Sequence, residues 1–325
     1  MSRRLEADDL YSIKLAEDPR LSPDGSLVAY VVMSIDRETY EYRRSIWVMD
    51  PAGGTPRRYT AGDRDSSPRW APDGALLAFV RAPGPDVKPH DEAEAGRGVD
   101  KPQVWLIPTD GGEARQLTFE RHGAGSPTWA PGSTRLTYVA EVGDPDDPEA
   151  DQARLKDLKV PAVRHITQQL SRFDGQGWIY ERRSHLFEID VAGGPARQLT
   201  DGDWNDEAPA YSPDGRRVAF SSGRRDDRWD WPASDLWVLD IDSGALTQLT
   251  LGKRLLAFGA SWSPDGRRIA FTAEPTIPTG GHEDLHVLEA DTPAEPEPLL
   301  PDFLPTNVDT AIDDMRVGHG PAQLQ

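Results

Sequence analysis

One ten-residue pattern constrains this chain more than any other feature, because the sequence writes it five times. It opens on a large residue, passes through Ser or Ala, Pro and a short polar turn, and closes on an aromatic. The opening and closing residues stand nine apart at 21/30 (LSPDGSLVAY), 70/79 (WAPDGALLAF), 129/138 (WAPGSTRLTY), 211/220 (YSPDGRRVAF) and 262/271 (WSPDGRRIAF). Two large anchors held at fixed distance around Pro-Asp-Gly describe a β-hairpin: Pro presets φ, and Gly accepts the positive φ of a tight reversal. Chance clustering of loop residues does not give five copies with one spacing.

A second hairpin follows the first in four copies. Trp47 to Tyr59, Trp105 to Leu117, Phe187 to Leu199 and Trp237 to Leu249 are each twelve apart, with Gly-Gly or Ser-Gly turns between them. Each repeat therefore holds four strands. Gly25 to Gly74 spans 49 residues and Gly215 to Gly266 spans 51, a period that marks a β-propeller blade. The run Leu27–Val32 is apolar throughout, as in a strand covered on both faces. The expected fold is thus an all-β propeller of four-stranded blades, with five repeats and a partial sixth. The sequence divides into a leader (1–19), a propeller (20–305) and an incomplete sixth repeat or tail (306–325). Blades are expected near 20–60, 68–118, 127–200, 209–250 and 260–300.

Insertions fall between the second and third strands of their repeats, at 81–102, 143–178 and 223–234. Loops that leave one structural position are where a propeller is expected to bind. The 36 basic and 55 acidic residues give a net charge of −19, which argues against nucleic acid or an anionic membrane as partner. Without cysteine there is no thiol catalysis, disulfide or Cys-zinc site. Neither an apolar secretory core near the N-terminus nor a membrane-length apolar run occurs, so the expected location is cytoplasmic.

Two motifs invite chemistry, one failing on register and the other on its residues, and a third is missing. His282-Glu283-Asp284-Leu285-His286 matches the zincin pattern, which needs a helix to bring its two His together. His286, however, stands where the other repeats place Trp47, Trp105, Phe187 and Trp237, on a strand, where four residues span roughly 13 Å. Asp201-x-Asp203-x-Asn205 starts like a calcium loop, but Asp206 replaces the required Gly and Ser212 the closing Glu. No G-x-S-x-G occurs, and the Gly pairs lie in hairpin turns rather than a phosphate loop. No catalytic residue, metal ligand or cofactor is assigned.

The five hairpins with their paired [RQ]-[LY]-Thr strands resemble the TolB-like propeller repeat. The leader Glu6-Ala7-Asp8-Asp9-Leu10 and the third insertion, Arg172-Phe173-Asp174-Gly175-Gln176-Gly177-Trp178 with Arg182-Arg183-Ser184-His185, sharpen the likeness. Together they resemble the N-terminal propeller of prolyl oligopeptidase family serine peptidases, closest to the acylaminoacyl peptidase branch. That resemblance implies a propeller that admits short peptides to a C-terminal α/β-hydrolase domain bearing a Ser-Asp-His triad. This sequence stops after five repeats, so no triad residue is carried onto it. The implied partners are a peptide substrate and a hydrolase domain or fragment, and Arg172, Asp174 and Trp178 are the implied substrate-facing loop residues. The competing expectation is a stand-alone TolB-like module that binds protein or peptide.

Overall fold

The computed structural model describes residues 4, 6–143, 166, 171–173, 177–178, 182–228, 233–252, 254–275 and 283–301. After a 3-10 turn (Ala7–Ser12), the chain builds antiparallel sheets in sequence order. The first is β1 (Lys14–Leu21), β2 (Val28–Ile35), β3 (Tyr42–Met49) and β4 (Arg57–Arg58). The second is β5 (Asp65–Trp70), β6 (Leu76–Arg81), β7 (Gln103–Pro108) and β8 (Arg115–Gln116), with a short helix α1 (Glu92–Gly96) in its insertion. In the third, β9 (Ala124–Trp129) and β10 (Arg135–Gly143) pair onward to β13 (Arg182–Asp190) and β14 (Arg197–Gln198). Its insertion carries a separate ribbon, β11 (Arg172–Phe173) with β12 (Gly177–Trp178). The fourth sheet is β15 (Asp206–Tyr211), β16 (Arg217–Ser222), β17 (Asp235–Asp240) and β18 (Leu246–Gln248). The fifth has three strands, β19 (Leu255–Trp262), β20 (Arg268–Pro275) and β21 (Asp284–Glu289). These sheets are the blades of an all-β propeller.

Each recurring residue has a local reason. In the first hairpin Gly25, Gly74, Gly215 and Gly266 take φ of 69° to 72°, and in the third copy Ser133 occupies that position at 58°. Where Ser follows the opening anchor, its hydroxyl accepts from the chain five residues on and donates to the turn Asp. Ser22 Oγ receives Leu27 N at 2.9 Å and gives to Asp24 at 2.6 Å, and Ser212 and Ser263 repeat the arrangement. In the second hairpin the Thr of the [RQ]-[LY]-Thr strand caps the third strand. Thr60, Thr118, Thr200 and Thr250 accept from the backbone N of Ile46, Val104, Leu186 and Leu236, fourteen residues earlier each time. Gln116, Gln198 and Gln248 each fold back to the carbonyl of that Thr at 2.8 Å.

The first strands start earlier than the sequence divisions place them. β1 begins at Lys14, inside the segment read as leader, and β5, β9, β15 and β19 begin three to five residues before their expected blade starts. The cause is a bulge three residues before each anchor. Asp18, Ser67, Ser126, Ala208 and Gly259 all take positive φ. Around four of them (Asp18, Ser67, Ala208 and Gly259) the register to the second strand slips by one residue. Four of the five precede Pro, so the strand has neither a clean alternation nor a full set of N–H donors. The fifth blade departs in another way. Where a fourth strand is due, Pro293, Pro296 and Pro298 cannot donate, and pairing shrinks to a single bridge, His286 to Pro298. The expected tail, 306–325, lies outside the described residues.

The chain divides into two compact units. Among the described residues, one comprises those up to Tyr138 with Ile189–Pro195, the other Val139–Glu188 and those from Ala196 on. In the first unit a core forms between blades one and two, from Ala29, Val31, Ile46 and Val48 against Leu77, Phe79 and Ile107. In the second, Leu236, Val238 and Leu249 of blade four meet Leu255, Ala257, Ile269 and Phe271 of blade five. A blade therefore buries its faces against its neighbour. β6 and β16 are buried on both faces, whereas β2 is buried on one and half-buried on the other. The anchor Trp residues tie these layers polar-wise as well. Trp70 Nε1 donates to Arg20 O (2.9 Å), Trp129 Nε1 to Arg69 O (2.9 Å) and Trp262 Nε1 to Ala210 O (3.0 Å). In every case the acceptor is the residue just before the preceding blade's anchor.

Candidate functional site

The insertions leave each blade at the end where its second strand stops and its third begins. In blade two that end borders an open-sided cavity of about 390 Å³, lined among others by Asp63, Arg64, Arg81, Lys101, Trp105 and Gln116. Its floor is rigid. Asp65, wholly buried at the start of β5, receives Arg81 Nε at 2.7 Å and Arg81 Nη2 at 2.9 Å, a two-pronged pair. The same guanidinium lies 4.9 Å from the Trp105 ring centre and 5.1 Å from that of Phe79. Gly62 makes room for the acid: a Cβ there would stand 2.5 Å from both Asp65 carboxylate oxygens.

The wall is pinned by Gln103, the first residue of β7. Its amide N donates to Gly98 O (3.2 Å) and Glu120 O (2.7 Å), and its amide O accepts from Thr118 Oγ1 (2.8 Å) and Glu120 N (3.0 Å). That closes the neck of the insertion. Gly98, at φ of 57°, is needed there because a Cβ would fall 2.0 Å from Glu120 O. Around the rim Arg64 pairs with Glu41 (2.6 Å), Arg43 with Asp63, and Lys101 with Asp100 (3.4 Å). The cavity thus offers fixed cationic donors beside an aromatic face. Its lining residues include no Ser, Thr or Cys.

Blade four repeats the buried acid and stacked Arg. Asp206 receives Arg224 Nη2 (2.9 Å) and Ser222 Oγ (2.5 Å), with His185 Nδ1 3.1 Å from its other oxygen. Arg224 lies over Trp204, Phe220 and Trp237 at 4.9 to 5.3 Å. Ser, His and Asp meet here, yet Ser222 and His185 both address the carboxylate, and Ser222 accepts from Arg224 Nε at 2.9 Å. The hydroxyl meets the carboxylate and not the imidazole, so the group is an anchor for the blade rather than a catalytic triad.

Of the loop residues singled out in the sequence, Arg172 and Trp178 are cross-strand partners on the β11–β12 ribbon, and Arg172 is exposed. Asp174 lies outside the described residues. The last three residues of the zincin match, Asp284 to His286, lie on β21, where His286 is buried opposite Phe271 with their rings stacked at 5.3 Å. Trp47, Trp105 and Trp237 stand opposite Tyr30, Phe79 and Phe220 in the same way. His282 is outside the described residues, and among the described ones no cluster of His, Asp and Glu suits a metal. The blade-two cavity was not read from the sequence. Its signals were there: Asp65 and Arg81 bracket the second hairpin copy, and a Trp follows the insertion at 105.

The resemblance drawn from the sequence is borne out by comparison with known proteins. The chain is 30% identical over 224 residues to the Bacillus subtilis peptidase YuxL, itself uncharacterised, covering 68% of this chain and 32% of that protein. It spans only about a third of that relative. It is 26% identical over 281 residues to the uncharacterised Agrobacterium fabrum protein Atu1656, covering 79% of this chain and 84% of that one. Among solved structures, Pyrococcus horikoshii acylaminoacyl peptidase aligns with a TM-score of 0.63 at 19% identity, over 91% of this chain and 40% of that one. A protein from Agrobacterium tumefaciens solved as a TolB aligns with a TM-score of 0.54 at 19% identity, over 88% and 80% of the two chains. At such identities the structural matches speak for the fold. No family model matches the chain.

Proposed function

We propose that this chain is the propeller portion of a prolyl oligopeptidase family serine peptidase, restricting an α/β-hydrolase domain to short peptides. The observation that carries this reading is the 30% identity to a peptidase of which the chain accounts for 32%. The acylaminoacyl peptidase match, confined to 40% of that chain, supports it through the fold. On this reading the propeller contributes no reacting group. Its insertion loops decide what enters, and the hydrolase domain supplies the Ser, Asp and His.

The coding sequence that adjoins this chain tests the proposal. A continuing or adjacent frame with further repeats and a G-x-S-x-G elbow is expected, and co-expression of the two parts should cleave short chromogenic peptides while sparing a folded protein. An adjoining sequence with no hydrolase, and no such frame elsewhere that co-purifies with this chain, would overturn it.

A second reading has its own observation. Atu1656 is covered over 84% of its length, so a relative exists that is little more than this propeller. A stand-alone TolB-like module that binds protein or peptide follows from that. Isolated as a soluble, cooperatively melting monomer with no hydrolase partner, the chain would fit this reading instead.

A further inference from the structure

We propose that the blade-two cavity binds the C-terminal carboxylate of a short peptide. Three cations line this cavity, Arg64, Arg81 and Lys101, paired with Glu41, Asp65 and Asp100, while its one lining acid, Asp63, pairs with Arg43. On a chain of net charge −19 these pairs leave the place locally neutral, so an anion meets less repulsion here than over the acidic surface at large.

The donors are also unspent. Arg81 uses Nε and Nη2 on Asp65, and Arg64 uses Nη2 on Glu41. Among the described residues Arg81 Nη1 and Arg64 Nε and Nη1 have no protein partner. Arg81 cannot swing away, because Asp65 and the Trp105 ring hold its plane on two sides. A pre-set guanidinium loses little freedom on meeting an anion, and charge-assisted hydrogen bonds to carboxylate are the strong ones. A volume of about 390 Å³ admits two or three residues of a peptide. Trp105, Pro83 and Val99 give that peptide an apolar surface, which a bare inorganic anion does not need. Asp63, on the same wall, disfavours a doubly charged ligand over a singly charged one.

The choice of a peptide rests on the proposed peptidase role, but binding is measured on this chain alone. Failure here would remove the subsite and leave the coding-sequence test untouched. The probes are N-acetyl-Ala-Phe as the free acid, the same dipeptide as its amide, and inorganic phosphate, titrated calorimetrically into the intact chain. The acid should bind about tenfold more tightly than the amide, with the preference weakening as salt rises. Arg64→Gln with Lys101→Gln should remove most of the preference, leaving what Arg81 supplies, with the melting temperature near that of the parent, since both groups sit in partly exposed ion pairs. If the double variant fails to fold, Lys101→Gln alone should reduce the preference several-fold. Equal affinity for acid and amide, phosphate binding as tightly as the acid, or an unchanged preference in the folded variants would overturn the proposal.

Discussion

Trp129 is where the coupling between blades can be measured most cleanly. Its side chain is buried, and its Nε1 reaches back at 2.9 Å to Arg69 O on the preceding blade. Trp129→Phe removes the donor and part of the ring but keeps an aromatic in the layer. The lost hydrogen bond and the carbonyl left behind should together cost about 1–2 kcal/mol. Trp129→Ala also empties most of the side chain's volume, which should raise the cost to about 3–5 kcal/mol. Urea denaturation followed by far-ultraviolet circular dichroism reads both, and the two variants should fall in that order below the parent. The equivalent pair at Trp262, whose bond to Ala210 O is 3.0 Å, should show the same order with smaller losses, because that ring is only partly buried. If Trp129→Ala cost under about 1 kcal/mol, far below the loss expected for an emptied core site, the anchors would be surface residues of their own hairpins, and the account of stacked blades would fail.

Three further outcomes follow. Asp65→Ala leaves the Arg81 guanidinium facing a pocket without its acid, and Arg81→Ala leaves a wholly buried carboxylate unpaired. Arg81→Ala should cost about 3–5 kcal/mol and Asp65→Ala less, because water reaches the guanidinium left behind, whereas Asp65→Leu with Arg81→Met should regain most of the loss in thermal melts. The turn acids give a pH signature: the Ser22 hydroxyl, then Ser26, holds the Asp24 carboxyl down at about 2, and Ser212 and Ser263 lower Asp214 and Asp265 in the same way. A depressed carboxyl contributes stability that is present above its ordinary value of 3.8 and lost as pH falls towards the folded value. Acid melts should therefore lose stability between about pH 4 and pH 2. Carbon-detected NMR titration should place Asp24 at about 2 in the parent and visibly higher in Ser22→Ala. Finally, neither zinc nor a chelator should move the melting temperature; a zinc-dependent rise abolished by His282→Ala would reinstate the metal site that the strand position of His286 argues against.

The hairpins are legible in the sequence because their chemistry is local. Pro-Asp-Gly, the anchor pair and the capping Thr each act within fourteen residues, so the spacing of Thr60 behind Ile46 survives intact in the other three copies. The register that places His286 on a strand is legible for the same reason. The first strands are not. In β5 (Asp65–Trp70) and β15 (Asp206–Tyr211), Pro68 and Pro209 follow the positive-φ residues Ser67 and Ala208, just where an alternating strand would show its pattern. Their pairing is imposed by the apolar second strand beside them. The weak fourth strand of blade five has its signal in three prolines, which the repeat count overrides. The cavity is hidden for a different reason. Asp65, Arg81 and Lys101 look like ordinary surface charges in sequence, and only the fold brings them together around Trp105. Arg172 and Trp178 enter through resemblance, and the ribbon does set them opposite each other.

The most direct measurement of the central claim uses the protein as its own cells make it. Material captured from the source cells with an antibody to this propeller would be treated with a fluorophosphonate probe for active serine hydrolases. The proposed role predicts a labelled serine on a polypeptide that either continues from this propeller or co-purifies with it in stoichiometric amount. Captured propeller with no labelled hydrolase attached, in a lysate where other serine hydrolases label normally, would contradict it.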